Sequence, residues 1–141
     1  RILHQAFPAN PFTAEEIAYY VAHPQENAFV RYFEHTGDKR ARRLSDITDP
    51  ARYRRTDFYR RCLQRLGFRH SLVLPITLDR HTIAAFAFDR RRGDFTVRHC
   101  ALLDAFAPHF QLAWKRHENP WRALHPAMPS PRQQLLTLGL T

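Results

Sequence analysis

Apolar residues recur at helical spacing through the first third of the chain. Thr13 and Glu16 form a capping-box pattern ahead of one apolar stripe, which indicates that a helix begins there. The His-Pro pair at 23–24 ends this helix, since a residue that precedes proline disfavours the α conformation. A second stripe over residues 25–36 predicts another short helix, with Gly37 as its C-terminal stop.

Two more helix starts follow before the pattern changes. Asp49 and Pro50 combine an N-cap with proline at the first helical position. Thr56 predicts the start of a further helix that ends at Gly67. The apolar face of that helix consists of Tyr59, Cys62, Leu63 and Leu66.

The apolar period then shortens to that of β-strands. Residues 68–76 and 81–88 predict a β-hairpin with a polar turn at 77–80, and residues 2–7 predict a separate strand. Pro75 marks a strand end or a bulge, because it has no N–H for the ladder. The second hairpin strand is apolar on both faces, so we expect the sheet to be covered on both sides. Its two faces carry Ala84, Phe86 and Phe88, and Ile83, Ala85 and Ala87.

The C-terminal third begins with the longest predicted helix, 97–118, capped by Thr96. Four prolines at 120–131 predict a linker, and residues 132–138 predict the start of another helix. The apolar stripe of the long helix consists of Leu102, Leu103, Phe106, Phe110, Ala113 and Trp114.

Composition limits the protein to one ordinary globular domain. The chain has 141 residues, with 44% hydrophobic and 25% charged. No apolar run approaches the ~20 residues of a membrane helix, and no signal peptide is visible, so we expect a cytoplasmic protein without a membrane partner. The net charge is +9, but all but two of the 22 basic residues are scattered arginines. We interpret them as a solvated basic surface; the alternative is a basic nucleic-acid-binding domain.

Candidate catalytic and metal-binding groups are sparse. The chain has nine histidines, and two of them, His109 and His117, share a face of the predicted long helix. Eight residues of helix rise ~12 Å, which is too far for both to bind one metal ion. Cys62 and His70 leave a Cys–His pair open, whereas a buried core thiol is the commoner state of such a cysteine. No glycine-rich phosphate motif occurs. We therefore predict no enzyme activity, no metal and no cofactor.

Three phrases in order carry a resemblance to a known family. They are RRLSD at 42–46 after TGD at 36–38, FY at 58–59 ahead of LG at 66–67, and RRRGDFT at 90–96 leading into LLD at 102–104 and PH at 108–109. Together they resemble the GAF-like sensor domains that precede the helix-turn-helix of bacterial LuxR-type transcriptional regulators. The last four residues, LGLT, are similar to the start of that DNA-binding domain, although its usual Pro-Arg-Glu is absent.

The resemblance implies an α/β (α+β) fold, an antiparallel sheet covered by helices on both faces with a long C-terminal helix. It divides the chain into a sensor domain at 1–119, whose first strands are missing, a Pro-rich linker at 120–131 and the start of a truncated helix-turn-helix at 132–141. It also implies a small-molecule pocket between the sheet and the helices that precede the hairpin. The pocket candidates are Phe29, Tyr32, Phe33, Tyr53, Phe58, Tyr59, His70, Leu72, Leu74, Phe86 and Phe88. The alternative for these aromatic residues is a filled core.

A regulator of this kind is expected to act as a homodimer, because paired DNA-binding domains read paired half-sites. The candidate interface residues are Phe110, Trp114 and Trp121, and the alternative is that they pack on their own domain. The expected partners are a second copy, DNA bound through the C-terminal helix-turn-helix, and an unidentified effector. A ligand-free dimerisation module is the main alternative function.

Overall fold

The computed structural model describes residues 2–7, 11–78, 83–124 and 133–138, with side chains described over 11–78 and 84–116. Strand β1 (Ile2–Phe7) confirms the predicted N-terminal strand. Helix α1 spans Ala14–Ala22 and has the predicted capping box. The Thr13 hydroxyl accepts from the Glu16 N–H at 3.2 Å, and the Thr13 N–H donates to the Glu16 carboxylate at 2.8 Å.

Helix α2 spans Ala28–Thr36 and so begins three residues later than predicted. A 3₁₀ turn at Pro24–Glu26 occupies the expected first turn. The Asn27 side chain then accepts from the N–H groups of Phe29 and Val30, which fixes the helix start at that asparagine. Gly37 ends the helix in the left-handed conformation, with φ of 66°.

Short elements lead from α2 to the hairpin. They are strand β2 (Arg42–Arg43), helix α3 (Leu44–Ile47) and helix α4 (Pro50–Tyr53). Asp49 caps α4 ahead of Pro50, as predicted. The helix predicted to start at Thr56 contains a π-helical segment at Tyr59–Leu63.

The sheet has five strands in the order β1-β5-β4-β3-β2. Strands β3 (His70–Leu78) and β4 (Ile83–Arg90) form the predicted hairpin, and β2 pairs antiparallel with β3. The register shifts between Pro75 and Thr77, which confirms a bulge at the proline. Strand β3 runs two residues further than predicted, to Leu78.

Two apolar cores cover the two faces of this sheet, so the predicted α+β fold with a doubly covered sheet is confirmed. One core joins α1, α2 and the π-helical segment to Val73, Ala85 and Ala87. The other joins the long helix α5 (Val97–Leu124) to Leu72, Leu74, Ala84 and their neighbours.

The C-terminal region differs from the sequence prediction in two places. Helix α5 continues to Leu124, six residues beyond its predicted end at 118, so Pro120 lies within the helix. The predicted helix at 132–138 is also wrong, because Gln133–Leu138 is strand β5, parallel to β1 and β4. Backbone pairing with two sheet neighbours outweighs the local helical pattern of this segment, which joins the same sheet as the hairpin.

Helices α1 and α2 and the π-helical segment form the helical cover of one face of the hairpin. Two valines test how this cover packs. Val30 in α2 is buried, whereas Val21 in α1 is exposed. We expect Val30→Ala to lower the free energy of unfolding by about 2 kcal/mol, from lost burial and a residual cavity. Val21→Ala is the matched control and should change it by less than about 0.5 kcal/mol. Urea denaturation measures both, and equal effects would contradict the described packing.

Candidate functional site

A cavity of about 60 Å³ lies between the helical cover and one face of the β3–β4 hairpin. Its wall combines aromatic and aliphatic side chains with a few polar groups, which is the usual make-up of a small-molecule site. The lining residues are Phe12, Glu16, Ile17, Tyr20, Asn27, Phe29, Tyr53, Phe58, Cys62, Leu63, Ser71, Val73, Ala87 and Asp89.

Aromatic rings from four segments form much of this wall. The ring centroids of Tyr20 and Phe58 are 5.4 Å apart, and those of Tyr53 and Phe58 are 6.5 Å apart. Phe29 adds a ring from the first turn of α2. Burial raises the pKa of both tyrosine hydroxyls, so both stay neutral and hydrogen-bonding at physiological pH.

The sheet contributes the polar end of the cavity. Ser71 and Asp89 are paired in register across β3 and β4, and both side chains are buried. The Ser71 hydroxyl donates to Oδ1 of Asp89. Among the described residues, Ser71 is the only hydrogen-bond partner of this carboxyl group. Burial raises the pKa of Asp89 to about 6, an effect that the Ser71 hydrogen bond only partly offsets.

Both polar atoms of the Asn27 side chain make hydrogen bonds within the domain. Its Oδ1 caps α2, and its Nδ2 donates to the Tyr20 hydroxyl at 3.5 Å. The asparagine therefore holds the aromatic wall against the helix start. Asp89 is then a buried carboxyl group of the lining that can accept further hydrogen bonds from a ligand.

Glu16 is neutralised at the cavity wall. Arg65 binds both of its carboxylate oxygens, with Nε 2.8 Å from Oε1 and Nη2 2.8 Å from Oε2. Hydrogen bonding to Arg65 holds the pKa of Glu16 below its usual value. This bidentate pair joins α1 to the segment after the π-helical turn.

Cys62 also lines the cavity, but as a thiol. Its Sγ donates to the Glu16 carbonyl oxygen at 3.6 Å, and burial raises its pKa to about 11. A thiol that stays protonated is a poor nucleophile. His70 does not pair with it, because the His70 Nδ1 lies 3.7 Å from the Asp94 carboxylate. The Cys–His alternative is thus not supported.

Among the described residues, the lining carries two carboxyl groups and no lysine, arginine or histidine side chain. This composition is the reverse of the chain as a whole, whose net charge is +9. An anionic ligand would meet Asp89 without a compensating cation in the wall. The electrostatics of the cavity therefore favour neutral or positively charged molecules.

Three of the pocket residues predicted from the sequence line this cavity: Phe29, Tyr53 and Phe58. Three others lie in the same layer but outside the lining. Phe33 and Tyr59 are buried core residues, and the Tyr32 hydroxyl donates to Asp38 at 2.9 Å.

The predicted sheet-side pocket residues alternate with those that line this cavity, so they lie on the other face of the sheet. Leu72, Leu74, Phe86 and Phe88 face α5 on the opposite side of the sheet, and His70 shares their alternation. The cavity face consists instead of Ser71, Val73, Ala87 and Asp89. Because both faces are apolar, hydrophobicity does not distinguish the face that lines the cavity. The polar pair Ser71 and Asp89 was the available signal for that face.

Two of the three predicted dimer residues, Phe110 and Trp114, pack within their own domain. The Phe110 ring packs on Phe86 with centroids 4.6 Å apart, and Trp114 packs in the same core. Trp121 lies outside the described side chains. Leu102, Phe106 and Leu112 are exposed on α5 instead, each by about half or more.

Within the described ranges, no three His, Cys, Asp or Glu side chains are grouped as metal ligands would be. A search of the same part of the chain finds no helix with the length and hydropathy of a membrane span.

Replacing Asp89 by Asn tests the buried carboxyl group. The folded-state pKa of about 6 lies above the usual 3.8, so the folded protein binds the proton more tightly than the unfolded chain. The contribution of Asp89 to stability is then fully present at low pH and falls by roughly 3 kcal/mol as pH rises from about 4 to above about 6. Asp89→Asn mimics the protonated acid, and we expect it to remove this fall and stabilise the protein at neutral pH.

Urea denaturation of both proteins across this pH range measures the effect. Asp57→Asn, at an exposed position, controls for the loss of one negative charge. Parallel pH profiles for the wild type and Asp89→Asn would contradict the burial of a raised-pKa acid.

Comparison with known proteins assigns the chain to a domain family. No curated protein and no solved structure shows significant similarity to it. Residues 3–114, most of the chain, match the GAF domain family. This match agrees with the doubly covered sheet, the long helix α5 and the cavity between sheet and helices, and it indicates a regulatory domain of the ligand-sensing type. The chain belongs to the GAF domain family.

Proposed function

We propose that this GAF domain senses a small molecule that binds in the cavity between the helical cover and the β3–β4 hairpin. The observation that carries the proposal is the buried Asp89 carboxyl group on the cavity wall, hydrogen-bonded to the Ser71 hydroxyl. Burying a carboxyl group costs stability, and groups with pKa values shifted in this way are typical of functional sites.

Ligand binding would act by stabilising one arrangement of the elements around the cavity. The lining comes from α1, α2, the π-helical segment and the hairpin, so a ligand contacts all of them at once. A ligand shifts a conformational equilibrium by its differential affinity for the two states. Strand β3 has Val73 on the cavity side and Leu72 and Leu74 against α5, so a displaced strand moves the long helix as well.

Filling the cavity from the sheet side tests this proposal. Ala87→Val adds two methyl groups on β4 toward the ligand space. We expect it to weaken fragment binding by roughly tenfold or more, because added volume in a packed site costs about 1–3 kcal/mol. Amide chemical shifts during titration with fragments of up to about six non-hydrogen atoms measure the binding.

Ala101→Val on the exposed side of α5 is the matched control and should bind as the wild type does. A wild-type chain that shows no shifts at cavity residues with any fragment would contradict the proposed function. Equal affinities of wild type and Ala87→Val would place the binding site elsewhere.

We further infer that the domain forms a homodimer through α5. The support is the exposed apolar pair Leu102 and Phe106, about one turn apart on a helix whose other side is packed on the sheet, with Leu112 exposed further along α5. Contiguous exposed apolar patches mark interaction surfaces. These residues take the place of the interface residues predicted from the sequence.

A charged residue introduced at Leu102 should separate the subunits. We expect Leu102→Glu to shift the protein from dimer to monomer in light scattering, because a buried unpaired carboxylate is costly. Val21→Glu, on another exposed apolar residue, should leave the mass unchanged. A wild-type monomer at high concentration would contradict dimerisation.

We propose, lastly, that the domain regulates a LuxR-type helix-turn-helix transcription factor in the bacterial cytoplasm. The support is the resemblance carried by the phrases at 36–46, 58–67 and 90–109. Since residues 133–138 form β5, the DNA-binding domain would follow Thr141. The coding sequence beyond Thr141 tests this directly, and an encoded helix-turn-helix is the expected result. Strong, salt-sensitive DNA binding by the present chain would instead favour the basic nucleic-acid alternative.

A further inference from the structure

The cavity sets a buried carboxyl group against a wall of aromatic rings. Asp89 is 5% exposed, and the rings of Tyr20, Tyr53 and Phe58 line the same space. Aromatic faces attract cations through the negative potential of their π-electrons, and a carboxylate pairs with an N–H cation. We propose that the cavity binds a small organic ammonium ion, with an N–H group donating to Asp89; this inference rests on the proposed sensing function.

The charge of the ligand follows from the groups that surround it. A buried carboxylate with one hydroxyl partner keeps part of its desolvation cost. An ammonium group supplies both a further donor and the opposite charge. A neutral donor supplies only the first, and an anion adds repulsion, because no basic side chain belongs to the described part of the lining.

The size of the ligand follows from the volume. One water-sized group needs about 10–15 Å³ of such space, so the cavity of about 60 Å³ accommodates roughly four to six non-hydrogen atoms. This is well below the ~300–1,000 Å³ of sites for drug-sized ligands. A nucleotide or a tetrapyrrole does not fit without a large rearrangement.

Among the described ionisable groups of the lining, Asp89 is the one whose charge changes near neutral pH. Tyr20 and Tyr53 have raised pKa values, as does Cys62 at about 11, and Arg65 holds the pKa of Glu16 low. The Asp89 carboxyl has a pKa of about 6. An alkylammonium keeps its proton until about pH 10. Amine binding should therefore strengthen as pH rises from about 5 to about 8.

Three probes of one shape separate charge from size. They are isobutylamine, isobutanol and isobutyrate, each titrated at the same millimolar concentration into the full chain at about pH 8 and about pH 5. We expect the amine to raise the melting temperature and shift cavity amide signals most, the alcohol less, and isobutyrate not at all. The preference of amine over alcohol should reach about tenfold at the higher pH and shrink at the lower one.

Asp89→Asn keeps the shape of the side chain and removes its charge. We expect it to lose the amine preference while alcohol binding persists, and Asp57→Asn to behave as the wild type does. Alcohol binding equal to or tighter than amine binding in the wild type would overturn this inference and leave the proposed function standing. Binding of none of the three probes would overturn both, and an amine preference that survives in Asp89→Asn would overturn the role of the carboxylate.

Discussion

The two-residue period of the β3–β4 hairpin, buried on both faces, is the constraint on which the rest of the structure depends. Successive side chains of a strand point to opposite sides, so each residue belongs either to the α5 core or to the helical cover. Leu72 and Leu74 hold α5, whereas Ser71 and Val73 face the helices. The register that pairs Ser71 with Asp89 places two polar groups on one face, next to each other.

Local signals in the sequence were sufficient for most of the helix ends. The capping box at Thr13, the Asp49–Pro50 start and the Gly37 stop depend on contacts within one turn, and the structure has all three. Strand β5 depends on pairing with β1 and β4, more than 40 positions away along the chain, and no local pattern reports such pairing. This is why residues 133–138 were predicted as a helix.

The candidate site was predictable in part, for the same reason. Of the helical residues predicted for the pocket, Phe29, Tyr53 and Phe58 line the cavity in the structure. The sheet-side residues could not be assigned by hydrophobicity, because Phe86 and Ala87 are both compatible with a buried face. Asp89 at the end of an apolar strand was the residue whose burial costs most, and such a position distinguishes a functional face from a packed one.

Polar contacts determine which end of α5 can respond to a change in the cavity. Asp104 accepts from the Ala41 N–H at 2.6 Å, and Arg43 donates to the Phe95 carbonyl at 3.1 Å, so the first half of the helix is tied to the segment around β2. Further along, Phe110 and Trp114 contact the sheet through apolar packing alone among the described residues. Apolar contacts permit small sliding movements that directional hydrogen bonds resist. We therefore expect a displacement of β3 to move the distal part of α5 about a fixed N-terminal half.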